Sequence, residues 1–228
     1  MGISHSVSRD AIVEALAAGN LPHPQGMGRR ERRAAETRVR LFRSALRLFA
    51  DRGFPNVKVE DITEAADVGK GTFFNYFESK DHVLSVMAEI QLAKVKEAAR
   101  LAASGKQAIH DVLHQLFLRI AEEPGRSPDL ARAVVSSFLA SEVVRGLIER
   151  QMSEGRKTIA EVVGLGQERG EIDSSLKKEL VAVQLQQTLM GTVLLWSLHE
   201  ELELAHWVEN SFQHFWRAVA TTGREQKS

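Results

Sequence analysis

The stretch GKGTFFNYFESK, residues 69–80, sets two glycines within three positions ahead of four aromatics in five residues and a charged end. It reads either as a helix that contacts something or as a turn followed by a piece of core. The residues before it narrow the choice. Val59, Ile62 and Ala66 recur at helical spacing over residues 59–66, and Asp67-Val68-Gly69 interrupts the pattern. GTFFNYF, residues 71–77, then predicts another short helix that ends at Glu78-Ser79. Two short helices joined by a turn of about four residues form a helix-turn-helix, whose second member can enter a DNA major groove.

Within that second helix the side chains divide by position. Gly69 is expected to supply a turn conformation that side chains resist, and Gly71 to let a phosphate or base edge approach the backbone. The free N–H groups at the start of the helix offer a further phosphate contact. Phe73 and Phe77 stand four apart and are expected in the core. Phe74 and Tyr76 lie off that face. Phe74 can offer apolar contact to a thymine methyl or sugar. Tyr76 either donates its hydroxyl to a phosphate or is a partly buried structural tyrosine. Lys70, Thr72, Asn75 and Lys80 complete the groove side, the alternative for Lys80 being solvent and a pair with nearby acids.

Outward from this stretch, the charge is uneven. The chain of 228 residues has no formal net charge, yet between Arg29 and Arg52 nine arginines face Glu31, Glu36 and Asp51, a local balance of +6. From Val83 onward 17 basic residues meet 19 acidic ones. A basic excess beside a helix-turn-helix suits a polyanion, although intrahelical pairs would use some of these arginines too. Leu41, Phe42, Ala45, Leu48 and Phe49 give the segment 32–52 one apolar helical face, closed by Gly53 and Pro55. Gly28 to Arg38 could track the phosphates or enter a minor groove, or remain a solvated arm. Residues 1–28 read as a leader with a short helix at 9–18.

The remainder is helical throughout. Ser79 caps a helix from Lys80 to about Ala103, and Gly105 separates it from one ending near Glu123. Glu123 to Pro128 is a loop. Further helices fit 128–140, 142–169, 175–199 and 203–221, with Asp173-Ser174-Ser175 as caps. No β-rich alternation competes, so the fold class is all-α, divided into 1–28 leader, 29–78 DNA-binding domain and 79–228 effector and dimerisation domain. The chain has no cysteine, which removes disulfides and thiolate metal sites and leaves a cytoplasmic location unopposed. The apolar run Ala11 to Gly19 is broken by Glu14, too short for a secretory signal or membrane span.

No catalytic set emerges after Leu84, and no cofactor is expected. His110 and His114 are four apart, but without an acidic companion at zinc-like spacing they read as exposed or pocket-lining, and no metal site is expected. The last two helices are apolar on more than one face and must be buried on more than one side. Leu185, Leu189, Trp207, Phe212, Phe215 and Trp216 are therefore candidates for a two-fold interface, with core packing as the alternative. Phe117, Phe138, Met152, Met190 and Trp196 are candidates for lining an effector cavity, again with simple core as the alternative. Their character favours an apolar or aromatic ligand over a phosphate-bearing one.

Residues 37–84 resemble the N-terminal DNA-binding domain of the TetR (tetracycline-repressor-like) family. The matching features are Phe49-Ala50 to Gly53-Phe54, Val59-x-x-Ile62-x-x-x-Ala66, Val68-Gly69-Lys70-Gly71-Thr72-Phe73-Phe74-Asn75-Tyr76-Phe77, and Ser79-Lys80-Asp81-x-x-Leu84. The resemblance implies a homodimeric transcription factor, usually a repressor, that binds a palindromic operator as duplex DNA and responds to a small molecule. It assigns DNA contacts to Lys70 and Gly71 at the mouth of the recognition helix, Thr72 on phosphate, Phe74, Asn75 and Tyr76 along it, and Lys80 at the next helix. The chain departs from the family pattern in three places. Val57 and Lys58 replace threonines, Asp67 and Gly69 replace the turn glycine and serine, and Phe74 replaces a phosphate-binding tyrosine. Lys58 offers a compensating charge to the backbone. Two other readings stand beside this one: a helical DNA-binding or partner-binding module without an effector, and a helical enzyme.

Overall fold

The computed structural model describes residues 29–122, 128–199 and 203–221. Among these lie nine α-helices, one 3-10 turn and no strand. The elements are α1 (Arg29–Arg52), the turn Phe54–Asn56, α2 (Val59–Ala65), α3 (Lys70–Phe74), α4 (Lys80–Ala103), α5 (Ile109–Ala121), α6 (Pro128–Ala140), α7 (Glu142–Glu168), α8 (Lys178–Trp196) and α9 (Leu204–Val219). The all-α expectation holds. The expected leader, with its helix at 9–18, lies outside the described residues.

By contacts the described residues part into two units, 29–93 with 129–151 and 94–122 with 128, 152–199 and 203–221. In the first, Leu41, Ala45, Leu48 and Phe49 of α1 meet Ile62 and Ala66, Phe73 and Phe77, all buried. One long helix and two short ones alone offer little apolar surface, and burial in so small a body is marginal. Val83, Leu84, Val86, Met87 and Ile90 of α4 and Leu130, Ala133 and Val144 beyond it complete the same core. Residues past 78 thus help to build the front unit. Arg38 is buried beside them, its guanidinium 5.7 Å from the centre of the Phe77 ring.

The second unit is built on α5, α8 and α9, with α9 packed against both of the others. Ile109, Val112, Leu113, Leu116 and Phe117 meet Val181, Leu185 and Leu189 and Val208, Phe212 and Phe215 as buried residues. The two ends of α5 are tied by distant side chains. At its start the Ile109 N–H donates to the Glu171 carboxylate at 2.7 Å, a cap contributed from 62 residues away. At its end the buried ammonium of Lys94 donates to the Arg119 carbonyl at 2.5 Å. Gly166 is required by a close approach: a Cβ there would stand 2.7 Å from Ile172 Cδ1 and 3.2 Å from Ile109 Cγ2. The caps expected at 173–175 form a turn instead, in which the Ser175 N–H donates to Asp173 Oδ1 at 2.8 Å, and α8 begins three residues later.

Candidate nucleic-acid interface

Helices α2 and α3 form the helix-turn-helix, and local hydrogen bonds fix the turn between them. The N–H of Val68 donates to the Thr63 carbonyl at 3.0 Å and that of Asp67 to Glu64 at 3.0 Å. Ser44 on α1 donates its hydroxyl to the Ala65 carbonyl at 3.3 Å, fastening the end of α2 to the long helix. At the start of α2, the Lys58 N–H is accepted by Asp61 Oδ2 at 2.7 Å, and Arg52 reaches the other oxygen at 3.2 Å.

The turn solves its backbone problem at a different residue from the one expected. Gly69 has φ −72° and ψ 153°, extended backbone that any residue adopts. The left-handed conformation falls on Asp67, with φ 50°. Aspartate tolerates this region because its short polar side chain can bond locally. The family glycine has been lost from 67, therefore, without moving the position that needs it.

Helix α3 is shorter than the expected 71–77. Its last turn continues as the N–H of Phe77 donates to the Phe73 carbonyl at 2.9 Å. Phe73 and Phe77 are fully buried with ring centres 5.4 Å apart, as the helical spacing requires. Phe74 is 49 % exposed, an unusual position for a phenylalanine. Lys58, Lys70, Gly71 and Asn75 are exposed, and Thr72 and Tyr76 are half-buried, Tyr76 packing against the front core. Nothing lies within 4 Å of a Cβ built on Gly71, so the chain itself leaves that approach open. All eight candidate DNA contacts are exposed or half-buried on or beside the helix-turn-helix.

Lys80 is bonded within the chain. Its ammonium donates to the carbonyls of Phe54 at 2.9 Å, Val57 at 2.9 Å and Pro55 at 3.3 Å. Three acceptors use the three N–H directions of an ammonium. It also lies 4.5 Å from the centre of the Phe54 ring. Within the chain this lysine fastens the start of α4 to the turn before α2. Ser79 does cap α4, accepting the His82 N–H at 3.2 Å. Lys70 pairs with Glu60 across the helix-turn-helix. That hydrogen bond, followed by a backbone bond and the nearby ammonium charge, holds the Glu60 carboxyl below its ordinary range. Sequence separation hides such a pair, since only the folded turn brings position 60 to position 70.

Among the candidates in the second unit, Leu185, Leu189, Phe212 and Phe215 are buried within the chain, which matches the core alternative for them. Trp207 stacks on His199 at 5.2 Å and Trp216 stands 5.0 Å from His110, both half-buried. The exposed apolar residues of α8 include Leu180, Met190, Leu194 and Leu195, followed by Leu198 just past its end, and the periodicity could not separate them from the inner face. Of the proposed cavity residues, Phe117 and Trp196 are buried, with Phe117 packed 5.5 Å from Phe212. Met152 is half-buried and Met190 is 45 % exposed in the same unit, while half-buried Phe138 belongs to the first unit. The structure does not gather these five into one lining within a unit. No group of three or more metal-ligating side chains occurs among the described residues, and no described helix is long and apolar enough to cross a membrane.

Residues 41–87 match the family described as bacterial regulatory proteins, tetR family. This stretch runs from the apolar face of α1 through the helix-turn-helix into α4. The front of the chain carries the TetR-family DNA-binding domain. Its relatives include the HTH-type transcriptional regulator TcmR of Streptomyces glaucescens, 30 % identical over 129 residues, 47 % of this chain and 56 % of that protein. The match thus spans little more than half of that relative's length. The HTH-type transcriptional repressor DhaR of a Mycobacterium species is 26 % identical over 173 residues, 74 % of this chain and 87 % of its own. Among solved structures, FadR of Thermus thermophilus, a TetR-family transcriptional repressor in complex with lauroyl-CoA, superposes with a TM-score of 0.57 at 26 % identity. That superposition covers 84 % of this chain and 98 % of FadR.

Proposed function

We propose that this chain is a ligand-responsive transcriptional repressor that binds a palindromic operator as a homodimer. The observation that carries the reading is the helix-turn-helix, in which Lys70, Gly71, Phe74 and Asn75 are exposed and Thr72 and Tyr76 half-buried while Phe73 and Phe77 hold α3 from within. Lys58 stands exposed at the start of α2 as a further backbone contact. The exposed arginines of α1, among them Arg33, Arg40, Arg43 and Arg47, add the positive field that a polyanion requires.

The apolar outer face of α8 supports the homodimer. Leu194 and, just past the helix end, Leu198 stand four residues apart and are exposed by 39 and 63 %, with Leu180 exposed by 59 % near the start of α8. Such a surface left in water is costly, and a second copy would cover it. Two-fold symmetry would set two recognition helices about 34–36 Å apart, in successive major grooves.

The effector would be a small apolar or aromatic molecule. DhaR is named a repressor, and the FadR structure holds lauroyl-CoA, an apolar chain on a polar carrier. Binding in the second unit would favour a state whose recognition helices no longer match the grooves, and operator binding would weaken the ligand by the same factor. A genome-wide binding selection, repeated with acyl-CoA esters and aromatic compounds, tests this. Enrichment of one palindrome, lost on adding one compound, is expected. Enrichment that no compound changes would leave the effector-free module as the better reading.

A further inference from the structure

Glu60 has no place in the footprint described above, yet it stands beside it. Of the two acids in the first turn of α2, Asp61 is taken by Arg52 and by the Lys58 N–H. Glu60 is left for Lys70, the first residue of α3, and the two side chains are 60 and 58 % exposed. A surface pair of this kind adds little to stability. Its consequence is for charge. Glu60 is an exposed carboxylate bonded to Lys70, so the cation at the mouth of the recognition helix carries its own counter-ion.

From this geometry we infer that Glu60 is a specificity-determining residue, one that removes Lys70 from non-specific DNA binding. The inference rests on the DNA-binding reading of the helix-turn-helix. Binding to arbitrary duplex is almost wholly the neutralisation of phosphates with release of their counterions. A lysine already neutralised by a carboxylate contributes no net charge to that process. A base edge read at hydrogen-bond distance is another matter, since direct readout depends on donor and acceptor positions. Glu60 thus lowers the background while the ammonium stays in place, and discrimination rises although no contact to a base is added.

The test uses the full chain, a random-sequence duplex of about three helical turns, and a duplex from the selection described above. Glu60→Gln keeps an oxygen to orient the ammonium and removes the charge. Its binding to random duplex should strengthen several-fold at low salt, and the slope of log K against log salt should steepen by about 0.9, the value of one further phosphate contact. Affinity for the selected duplex should rise less, so the ratio between the two falls. Lys70→Ala alone leaves the Glu60 carboxylate uncompensated and should weaken random-duplex binding, while Glu60→Gln with Lys70→Ala should return the slope near the parent's. A Glu60→Gln slope equal to the parent's overturns the inference, as does equal weakening on both duplexes, which would make Glu60 a support for Lys70 only. A parent protein that binds neither duplex overturns the DNA-binding reading itself, and the inference with it.

Discussion

The ammonium of Lys80 sits 2.9 Å from the carbonyl of Phe54 and 4.5 Å from the centre of that residue's ring. One lysine on α4 thereby holds both the backbone and the side chain of the turn that leads into α2. With Val57 and Pro55 also bonded, its charge faces inward to carbonyl oxygens. Lys80→Met, which keeps the stem, should destabilise the chain by about 1–3 kcal/mol by leaving carbonyls without their donor. The salt slope of DNA binding should stay near the parent's. Urea unfolding and a salt titration separate the two effects, and a slope reduced by about one unit would return Lys80 to the phosphates.

Gly71 lies inside α3 with open space where its side chain would be. A glycine in a helix is less favourable than alanine by about 0.5–1 kcal/mol. Gly71→Ala should therefore raise the stability of the chain while weakening binding to the selected duplex. Opposite signs in the unfolding and binding measurements are the expected outcome. Unchanged affinity would mean that no phosphate or base edge comes close to this backbone.

How much of this could be seen in the sequence follows from how local each feature is. Phe73 and Phe77, four apart, had to share a face, and the structure buries both. The breaks at Gly53, Gly105 and Gly170 and the cap at Ser79 are likewise written in neighbouring residues. Features that depend on the folded turn were not legible. Nothing near position 60 points to Lys70, and nothing near Lys80 points to Phe54, Pro55 and Val57. The apolar residues of α8 show the same limit. Leu185 and Leu198 are chemically identical, and only packing against α9 and α5 makes one core and the other surface. Asp67 is subtler: the turn retains its left-handed position although its glycine is gone.

Leu198 is 63 % exposed at the end of α8, and Leu194 is 39 % exposed one turn before it. Replacing both with glutamate places charge on the face proposed to meet a second copy, at little cost to a chain whose core they do not enter. Sedimentation should show a dimeric parent and a monomeric double variant, with operator affinity reduced at least tenfold because half-sites would bind singly. A variant that remains dimeric would move the interface elsewhere.

In the second unit the Glu209 carboxyl lies below its ordinary range, chiefly through the Gln213 amide and then through His114, whose Nε2 is 2.6 Å away. The unfolded chain therefore takes up this proton more readily than the folded one. The contribution is complete above the ordinary carboxylate pKa of about 4.3 and is lost as the pH falls through the lower folded value. Glu209→Gln should flatten that acid limb, measured as urea midpoints between about pH 7 and about pH 3. An acid limb identical to the parent's would show that the bonds to Gln213 and His114 do not bias folding.

The most direct measurement is a salt titration of the purified chain against a duplex from the region upstream of its own gene, followed by fluorescence anisotropy. Affinity falling by orders of magnitude between about 50 and 200 mM salt, along a straight line in log K against log salt, is the predicted result. Two protected half-sites about one helical turn apart should accompany it. Binding that is absent at low salt, or indifferent to salt where it occurs, would contradict the assignment of the helix-turn-helix to DNA.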